Sequence, residues 1–373
     1  MKKGLFVLTF FLLMLGSVFA VIYTQEKDDV LKGEVEYTLS YTYNLVNQGP
    51  LNLSKVTIRL AQLKSWEPVQ KVRGFRANVP ANFTTVDEYN NSYLWYEYSD
   101  FKVNQSVSLR FDVNLTLNIL DYTSLNIPTI EQIDNPLYRL FTTYNPIADN
   151  LDPGIQQLAA SLSTSGNDLD FIYNAYNFTS SYIRYKLLSN IRGATFALNN
   201  GYGDCDEYTS LFIALLRARN IGAIEHTAWL ADFAPGFTTT DDGAAAHAYP
   251  MFYIPNYGML PADPTRGSSS LFNNWLKTDE KRITLTRGPD QAYRKLTYRW
   301  LPQENLSAPV TFSNYTIAID SQIIQYFSQI RQALILTLFA VPMYFIVYSS
   351  IKGRQAKKIR EHKLRKMLDP QSD

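Results

Sequence analysis

Apolar and polar residues alternate over residues 34–118, and this pattern restricts the fold more than any other feature of the sequence. In the runs EVEYTLSYTYNLV, KVTIRLAQL, SYLWYEYSDF and SVSLRFDVNLTLNIL, Tyr, Val, Leu and Phe recur at alternate positions. An extended strand places such positions on one face. Asn, Gly and Pro separate the runs at turn spacing, so residues 24–125 are predicted to form an antiparallel β-sandwich domain. This range contains neither His nor Cys, which favours a spacer or binding module.

A second pattern follows the stretch LNIPTIEQIDNPLYRLFTTYNPIADNLDPG, whose four prolines indicate a linker over residues 126–150. Helical spacing then dominates, most regularly in the apolar stripe Tyr208, Leu211, Phe212, Leu215 and Leu216. Strand-like runs come next: AIEHTAWLA, HAYPMFYIP, GMLPAD, RITLTRG and KLTYRWLP. A helical half followed by a strand half predicts an α+β domain over residues 151–330.

Both ends of the chain carry long apolar runs. Two lysines precede the first run, and residues 1–23 are typical of either a cleaved signal peptide or an N-terminal anchor. The second run, residues 333–351, has no charged residue and is long enough to cross about 30 Å of hydrocarbon as a C-terminal transmembrane helix. The basic tail at residues 352–373 is expected to stay in the cytoplasm.

This topology predicts a membrane-anchored protein whose domains lie outside the cell. Glycosylation sequons occur only between the two apolar runs, and they support an external location weakly because the chain is rich in asparagine. They begin at Asn52, Asn82, Asn90, Asn104, Asn114, Asn177, Asn305 and Asn314. The net charge of +1 gives no indication of a nucleic-acid partner.

The chain has a single cysteine, Cys205, in the sequence NNGYGDCDEYTS. It stands where a helix is predicted to begin, and the unpaired N–H groups there lower the pKa of a thiol. The neighbouring acids Asp204, Asp206 and Glu207 act in the opposite direction, so a reactive Cys205 needs a base. The glycines before it permit positive φ and the close approach of a substrate backbone.

Two histidines are candidates for this base. His226 lies in the alternating run AIEHTAWL and is interpreted as a core residue. His247 begins the strand HAYPMFYIP after the loop TTTDDGAAA. A hairpin centred on residue 255 or 256 would place His247 and Asp263 on one face of the sheet, whereas a centre between those residues would separate them. A carboxylate beside a histidine orients the ring and stabilises the imidazolium.

The segments GYGDCDEYTSLFIALLRARNIGA, HAYPMFYIPNYGMLPADPT and RITLTRGPDQ occur in this order and resemble the core of the transglutaminase-like superfamily. The resemblance covers about residues 136–300 and points to a membrane-anchored prokaryotic type. It implies a papain-like cysteine-enzyme fold. It also implies Cys205 as nucleophile, His247 as general base and acid, and Asp263 as the group that orients the histidine.

The sequence departs from the family pattern at several positions. Tyr249 replaces the usual tryptophan after His-Ala, and Gly258-Met259 replaces a Gly-Trp. Asn220 and Gly222 stand for a glycine and a proline. None of these changes removes a reacting group. The Cys205 N–H is the expected first oxyanion donor, and the second comes either from the turn at residues 199–202 or from near Tyr185.

Two functions follow. The first is an extracytoplasmic thiol enzyme that acts on peptide or protein amide bonds through an acyl-enzyme. The residues do not choose between hydrolysis and transfer to a lysine amine, and the resemblance to prokaryotic family members favours hydrolysis. The second is a non-catalytic envelope protein that keeps the fold and binds partners. One cysteine and scattered histidines give no metal site, and no dinucleotide or phosphate-loop motif indicates a cofactor. The sequence does not indicate the oligomeric state.

Overall fold

The computed structural model describes most of the chain between its two termini. Residues 30–324 form one compact unit, and the described residues 348–358 belong to a second unit. The described residues are 30–124, 136–163, 167–230, 237–239, 246–255, 257–266, 274–289, 294–299, 310–324 and 348–358.

The strands are numbered in chain order. They are β1 (Leu31–Asn47), β2 (Leu53–Ala61), β3 (Gln70–Ala77), β4 (Phe83–Val86), β5 (Ser92–Phe101), β6 (Ser106–Leu120), β7 (Arg184–Tyr185), β8 (Tyr202–Gly203), β9 (Ala223–Leu230), β10 (Phe237–Thr239), β11 (Ala246–Ile254), β12 (Gly258–Pro261), β13 (Arg282–Arg287), β14 (Arg294–Arg299) and β15 (Val310–Ile324). The helices are α1 (Pro136–Thr142), α2 (Pro153–Leu162), α3 (Asp168–Tyr182), α4 (Gly193–Asn200) and α5 (Cys205–Ala218). A short 3₁₀ helix covers Pro264–Arg266.

Two sheets form a β-sandwich, with strand orders β10-β15-β1-β6-β3 and β14-β2-β5-β4. The long strand β1 is central in the first sheet and pairs antiparallel with both β6 and β15. Its odd-numbered residues from Val35 to Leu45 are buried, as the alternation predicted. Tyr41 stacks on Phe111 of β6 with ring centroids 4.9 Å apart, so this face forms the core of the sandwich.

The sandwich also contains strands that follow the α+β region in sequence. β14 pairs with β2, and β15 pairs with β1. The predicted range of residues 24–125 did not include either strand, and the run KLTYRWLP was expected in the second domain. Alternation identifies a strand but carries no information about its partner, which is why residues 294–324 were assigned by their position in the chain.

The α+β region combines a four-stranded sheet, in the order β12-β11-β9-β13, with helices packed around α5. The predicted stripe of α5, from Tyr208 to Leu216, is buried. Ile213 and Ala214, on its other side, are buried as well, because α2, α3 and α4 also contact this helix. A helix buried on all sides is a central core element, and α5 therefore holds its first residue in a fixed position.

The sandwich and the four-stranded sheet share an interface. Trp229 of β9 lies in the core of the sandwich, with its ring centroid 5.2 Å from that of Tyr41. At the edge strand β13, Gln70 donates to the carbonyl oxygen of Thr284 (3.0 Å) and accepts from its N–H (2.8 Å). Asn91 makes the same pair of bonds with Arg287, at 2.8 and 2.9 Å. These two side-chain amides cover an edge that would otherwise expose backbone donors and acceptors.

The apolar runs at the chain ends fall mostly beyond the described residues. The segment at residues 1–23 lies outside them, as do residues 333–347 of the predicted transmembrane helix. Residues 348–358 are helical. Within the described part of the chain, no helix combines the length and apolar character needed to span a bilayer.

Candidate active site

The N-terminus of α5 is fixed by a capping box. Asp204 is the N-cap residue, and its Oδ1 accepts from the N–H of Asp206 at 3.2 Å. Glu207 reaches back and accepts from the N–H of Asp204 at 3.1 Å. Together these bonds satisfy N–H groups that a helix start leaves unpaired. Cys205 is therefore the first residue of a well-defined helix.

Glu207 also orders the chain that precedes the helix. It is completely buried, and its Oε1 accepts from the N–H groups of Arg192 (2.7 Å) and Gly193 (3.2 Å). A Cβ on Gly203 would lie 2.3 Å from Cβ of Glu207. The sequence analysis attributed Gly203 to the approach of a substrate backbone. In the structure its missing side chain leaves room for Glu207, while Gly201, with φ of 65°, ends α4 in a left-handed conformation.

Cys205 is partly exposed. Burial raises the pKa of its thiol well above the ordinary range, and the negative charge of Asp206 raises it further. A backbone hydrogen bond from Ala248 acts in the opposite direction. One helical turn later, Thr209 donates to the carbonyl oxygen of the same Ala248 at 3.2 Å. The Cys205 end of α5 thus lies against β11 at the residue that follows His247.

His247 and Asp263 form a buried pair. Nε2 of His247 lies 2.8 Å from Oδ2 of Asp263, and both side chains are almost fully buried. In the β11–β12 hairpin, Met251 pairs with Pro261 and Ile254 with Gly258. This register is symmetric about residue 256, one of the two arrangements that the sequence analysis expected to bring His247 and Asp263 onto one face. Among the described residues, no hydrogen bond joins Cys205 to the ring of His247.

Arg282 is a site residue that the sequence analysis missed. Its Nη2 lies 2.7 Å from Oδ2 of Asp263, and its Nη1 lies 2.8 Å from Oδ2 of Asp279. Burial opposes the charge of Asp263, but His247 and Arg282 outweigh it and hold the pKa of this carboxyl far below its usual range. The only signal was a basic residue opening the apolar run RITLTRG, and a strand-end arginine is usually a surface residue.

Tyr249 separates His247 from His226. Its ring is nearly parallel to both imidazoles, with centroids 6.3 Å from that of His247 and 5.3 Å from that of His226. Its hydroxyl bonds to Thr284 at 2.8 Å. The residue that replaces the family tryptophan is thus buried behind the His247–Asp263 pair.

His226 is 2% exposed, and burial, aided by the charge of Arg287, lowers its pKa to about 3. This agrees with the interpretation of His226 as a core residue.

Asp204, Cys205 and Asp206 bring three potential metal ligands within 4.8 Å of one another. The arrangement does not fit a metal site well, because Asp204 already uses one oxygen for Asp206 and the other for the N–H of Leu188 at 2.9 Å. These bonds give the acid a structural role in shaping the start of the helix.

The thiol of Cys205 thus lies at the start of a buried helix, against the strand whose His247 contacts Asp263. Comparison with known proteins agrees. Residues 156–264, which include Cys205, His247 and Asp263, match the Transglutaminase-like superfamily (Transglut_core). This match supports the resemblance to the transglutaminase-like superfamily that the sequence motifs carry.

One solved structure supports the fold. A protein described as "a Putative Cysteine Protease from Cytophaga hutchinsonii" superimposes with a TM-score of 0.55 at 13% identity, and the match covers 78% of this chain and 91% of that one. The periplasmic domain of TgpA from Pseudomonas aeruginosa, bound to ethylmercury, gives a TM-score of 0.32 at 13% identity, with coverage of 65% and 92%. A search among curated proteins returned no match. The predicted α+β class with a sheet-rich N-terminal region is thereby confirmed.

Proposed function

We propose that this chain is a cysteine enzyme that cleaves amide bonds in peptides or proteins through an acyl-enzyme. The observation that carries the proposal is the buried 2.8 Å contact between His247 and Asp263. His247 lies on β11, the strand against which the Cys205 helix begins. A nucleophile, a base and a carboxylate that orients the base are the three parts that acyl transfer to a side chain requires.

In the proposed mechanism, His247 accepts the thiol proton as the Cys205 sulfur attacks the substrate carbonyl carbon. The tetrahedral intermediate collapses when the C–N bond breaks, and the imidazolium gives the proton to the departing amine. The result is a thioester and a free amine. Water, deprotonated by His247, then attacks the thioester and releases the acid and the thiol. A lysine amine in place of water would give transamidation.

The raised pKa of Cys205 determines how the first step starts. Burial keeps the resting thiol protonated, so the mechanism begins from a neutral thiol. Proton transfer then accompanies attack. Because no hydrogen bond joins Cys205 to His247 among the described residues, we expect substrate binding to bring the two groups into contact. Catalytic hydrogen bonds are often long in the free enzyme.

The oxyanion of the tetrahedral intermediate needs two donors. The first is the Cys205 N–H at the start of α5. For the second we favour Tyr185 over the turn at residues 199–202. Burial raises the pKa of the Tyr185 hydroxyl, so the hydroxyl is protonated at neutral pH and able to donate. Tyr185 of β7 pairs with Gly203 of β8, two residues before Cys205.

A second candidate function is a non-catalytic binding protein that keeps this fold. The raised pKa of Cys205 favours this candidate, because burial and the charge of Asp206 both oppose formation of a thiolate. Alkylation as a function of pH would not separate the two candidates, since both predict a weakly acidic resting thiol. Turnover of an amide substrate does separate them.

The location is proposed from the sequence alone. A transmembrane helix at residues 333–351 would anchor an extracytoplasmic enzyme with a cytoplasmic tail at residues 352–373, and residues 1–23 would direct its export. Expression of the full chain beside a chain ending at residue 332 tests this proposal. The full chain should fractionate with membranes, with the region of Cys205 open to protease added outside. Equal release of both chains as soluble protein would contradict it.

The function is tested with a quenched fluorescent peptide library and the full chain. Cleavage should require Cys205, His247 and Asp263, and Cys205→Ser should reduce it at least a hundredfold while leaving the unfolding free energy within about 1 kcal/mol of the parent. A fluorescent primary amine added to the same reaction measures transamidation. Unchanged cleavage in Cys205→Ala would exclude the proposed nucleophile.

A further inference from the structure

A cavity of about 280 Å³ lies at the interface of the sandwich and the four-stranded sheet. Its apolar lining comes from Trp66, Val69, Met251 and Met259, and its polar lining from Ser65, Glu67, Asn90, His226 and Arg287. Trp66, Val69 and Met251 are buried. A concave, mostly apolar site with a few convergent polar groups is typical of small-ligand sites.

The cavity is separate from the His247–Asp263 pair. His226 of the cavity pairs with Tyr249 in the register of β9 and β11. The Tyr249 ring stands between the two histidines, with centroid distances of 5.3 and 6.3 Å. Alternation along β11 places Met251 on the same face as Tyr249. The cavity residue Met251 thus lies on the same face of β11 as His247, four residues further along the strand.

Arg287 gives the cavity its charge. Its Nε donates to the carbonyl oxygen of Tyr89 at 2.7 Å, and its guanidinium lies 4.7 Å from the centroid of the Trp66 ring. Among the described residues, no carboxylate forms an ion pair with Arg287. Burial lowers its pKa, and the charge of Asp87 acts in the opposite direction without cancelling this effect.

The surroundings of Arg287 are also cationic. The Nζ of Lys64 lies 5.3 Å from the centroid of the same Trp66 ring, and burial together with the charge of Arg287 lowers its pKa. Glu67, the acidic residue of the lining, is exposed. The indole N–H of Trp66 is buried and has no hydrogen-bond partner among the described residues. An anion would satisfy both the excess positive charge and an unused donor.

We propose that this cavity binds the carboxylate of a small ligand with an apolar body, placing the carboxylate at Arg287 and the body against Trp66, Met251 and Met259. An arginine fork matches the two oxygens of a carboxylate, and the sulfur and aromatic side chains suit an alkyl or aryl group. A free carboxylic acid and the C-terminus of a peptide share this chemistry.

Isothermal titration calorimetry on the full chain tests the site. Phenylacetate should bind at least tenfold more tightly than phenylacetamide, which has the same ring and no charge. A tetrapeptide ending in free phenylalanine, compared with its amidated form, shows whether a peptide terminus is accepted as well. Equal binding of phenylacetate and phenylacetamide, or no binding of either, would overturn the proposal.

Variants locate the binding. Arg287→Met should weaken phenylacetate binding at least tenfold, and Met259→Trp, which fills the cavity from the edge strand β12, should weaken it without changing the charge. Cys205→Ala should bind as the parent does, because the site does not depend on the proposed nucleophile. If Arg287→Met does not fold, the phenylacetate affinity of Met259→Trp tests the location of the site. Unchanged phenylacetate affinity in the folded variants would overturn the proposal.

Discussion

Arg282 donates a 2.7 Å hydrogen bond to Oδ2 of Asp263, the oxygen that also lies 2.8 Å from the His247 ring. A second guanidinium nitrogen of Arg282 contacts Asp279 at 2.8 Å. The proposed orienting carboxylate is therefore one part of a buried network of two acids, an arginine and a histidine. This network keeps Asp263 ionised in the interior, where an isolated carboxylate would be protonated.

Removal of Arg282 should destabilise the protein strongly. Arg282→Met leaves the buried Asp263 with His247 alone, and breaking a buried ion pair from one side costs about 3–5 kcal/mol. Lys55→Met is the control, because Lys55 and Glu97 form an exposed pair at 2.8 Å, and such pairs contribute about 1 kcal/mol or less. Urea unfolding at pH 7 measures the loss of unfolding free energy in both variants. Equal losses in the two variants would contradict the importance of the network.

The same network predicts that the unfolding free energy depends on pH. The pKa of Asp263 is lower in the folded protein than in the unfolded chain, where it is about 3.9. Its contribution to stability is therefore complete well above pH 4 and is lost as the pH falls below that value. Asp263→Asn should flatten the fall in unfolding free energy below pH 4, measured by urea titration. An identical slope in both proteins would show that Asp263 is not held ionised.

Gly203 and Glu207 should be energetically coupled. Gly203→Ala places a Cβ 2.3 Å from that of Glu207, and overpacking of this kind costs about 1–3 kcal/mol or more. In the double variant Gly203→Ala/Glu207→Gly the Cβ at residue 207 is absent and the clash is removed, so the loss should be smaller than the sum of the single losses by at least about 1 kcal/mol. Thermal and urea unfolding supply the double-mutant cycle.

Gly201→Ala serves as the control for this cycle. Its added Cβ finds no atom closer than 3.8 Å, and its cost is the left-handed conformation alone, about 1–2 kcal/mol. It should show no coupling to Glu207→Gly. Additive effects of Gly203→Ala and Glu207→Gly would instead support the earlier interpretation, in which Gly203 serves substrate access.

Gln70 should contribute to stability through the domain interface. Gln70→Ala leaves the N–H and the carbonyl oxygen of Thr284 unpaired at a buried edge, with an expected cost of about 2 kcal/mol or more. Asn78→Ala is the matched control, since Asn78 makes the same type of bonds with Ser108 and Arg110 but is exposed. When the Asn78 side chain is removed, water can take its place in the hydrogen bonds with Ser108 and Arg110. A loss in Gln70→Ala no larger than in Asn78→Ala would contradict this role.

His226 should make stability fall between neutral and mildly acidic pH. Its pKa is about 3 in the folded protein and about 6.5 in an unfolded chain. Between these values the unfolded state binds a proton that the folded state does not, so the unfolding free energy decreases by up to about 1.4 kcal/mol per pH unit as the pH falls. His226→Gln should reduce this slope between pH 6 and pH 5. A slope unaffected by the substitution would mean that His226 is protonated in the folded protein.

Local patterns were sufficient to predict several parts of this structure. Alternation identified the buried face of β1, helical spacing identified the buried stripe of α5, and the position of the turn allowed the register that joins His247 to Asp263. Each of these features depends on residues close together in the chain. The order of glycine, acid and cysteine was also enough to locate the start of α5.

Long-range features could not be derived in this way. The pairing of β15 with β1 joins residues almost 300 positions apart, such as Glu34 and Ile324. The bonds from Gln70 to Thr284 span 214 positions. Arg282 contacts Asp263 only because β13 lies at the edge of a folded sheet. Such contacts depend on the completed topology and have no local sequence signal.

The central claim is that Cys205 forms an acyl-enzyme with His247 as its base. Intact-mass spectrometry of the full chain, quenched in acid within seconds of mixing with a p-nitrophenyl ester of an N-acetylated amino acid, measures it directly. The proposed mechanism predicts one added acyl mass that maps to Cys205, is absent in Cys205→Ala, and forms at least a hundredfold more slowly in His247→Ala. No adduct on the parent protein, or equal rates of acylation in the parent and in His247→Ala, would contradict the claim.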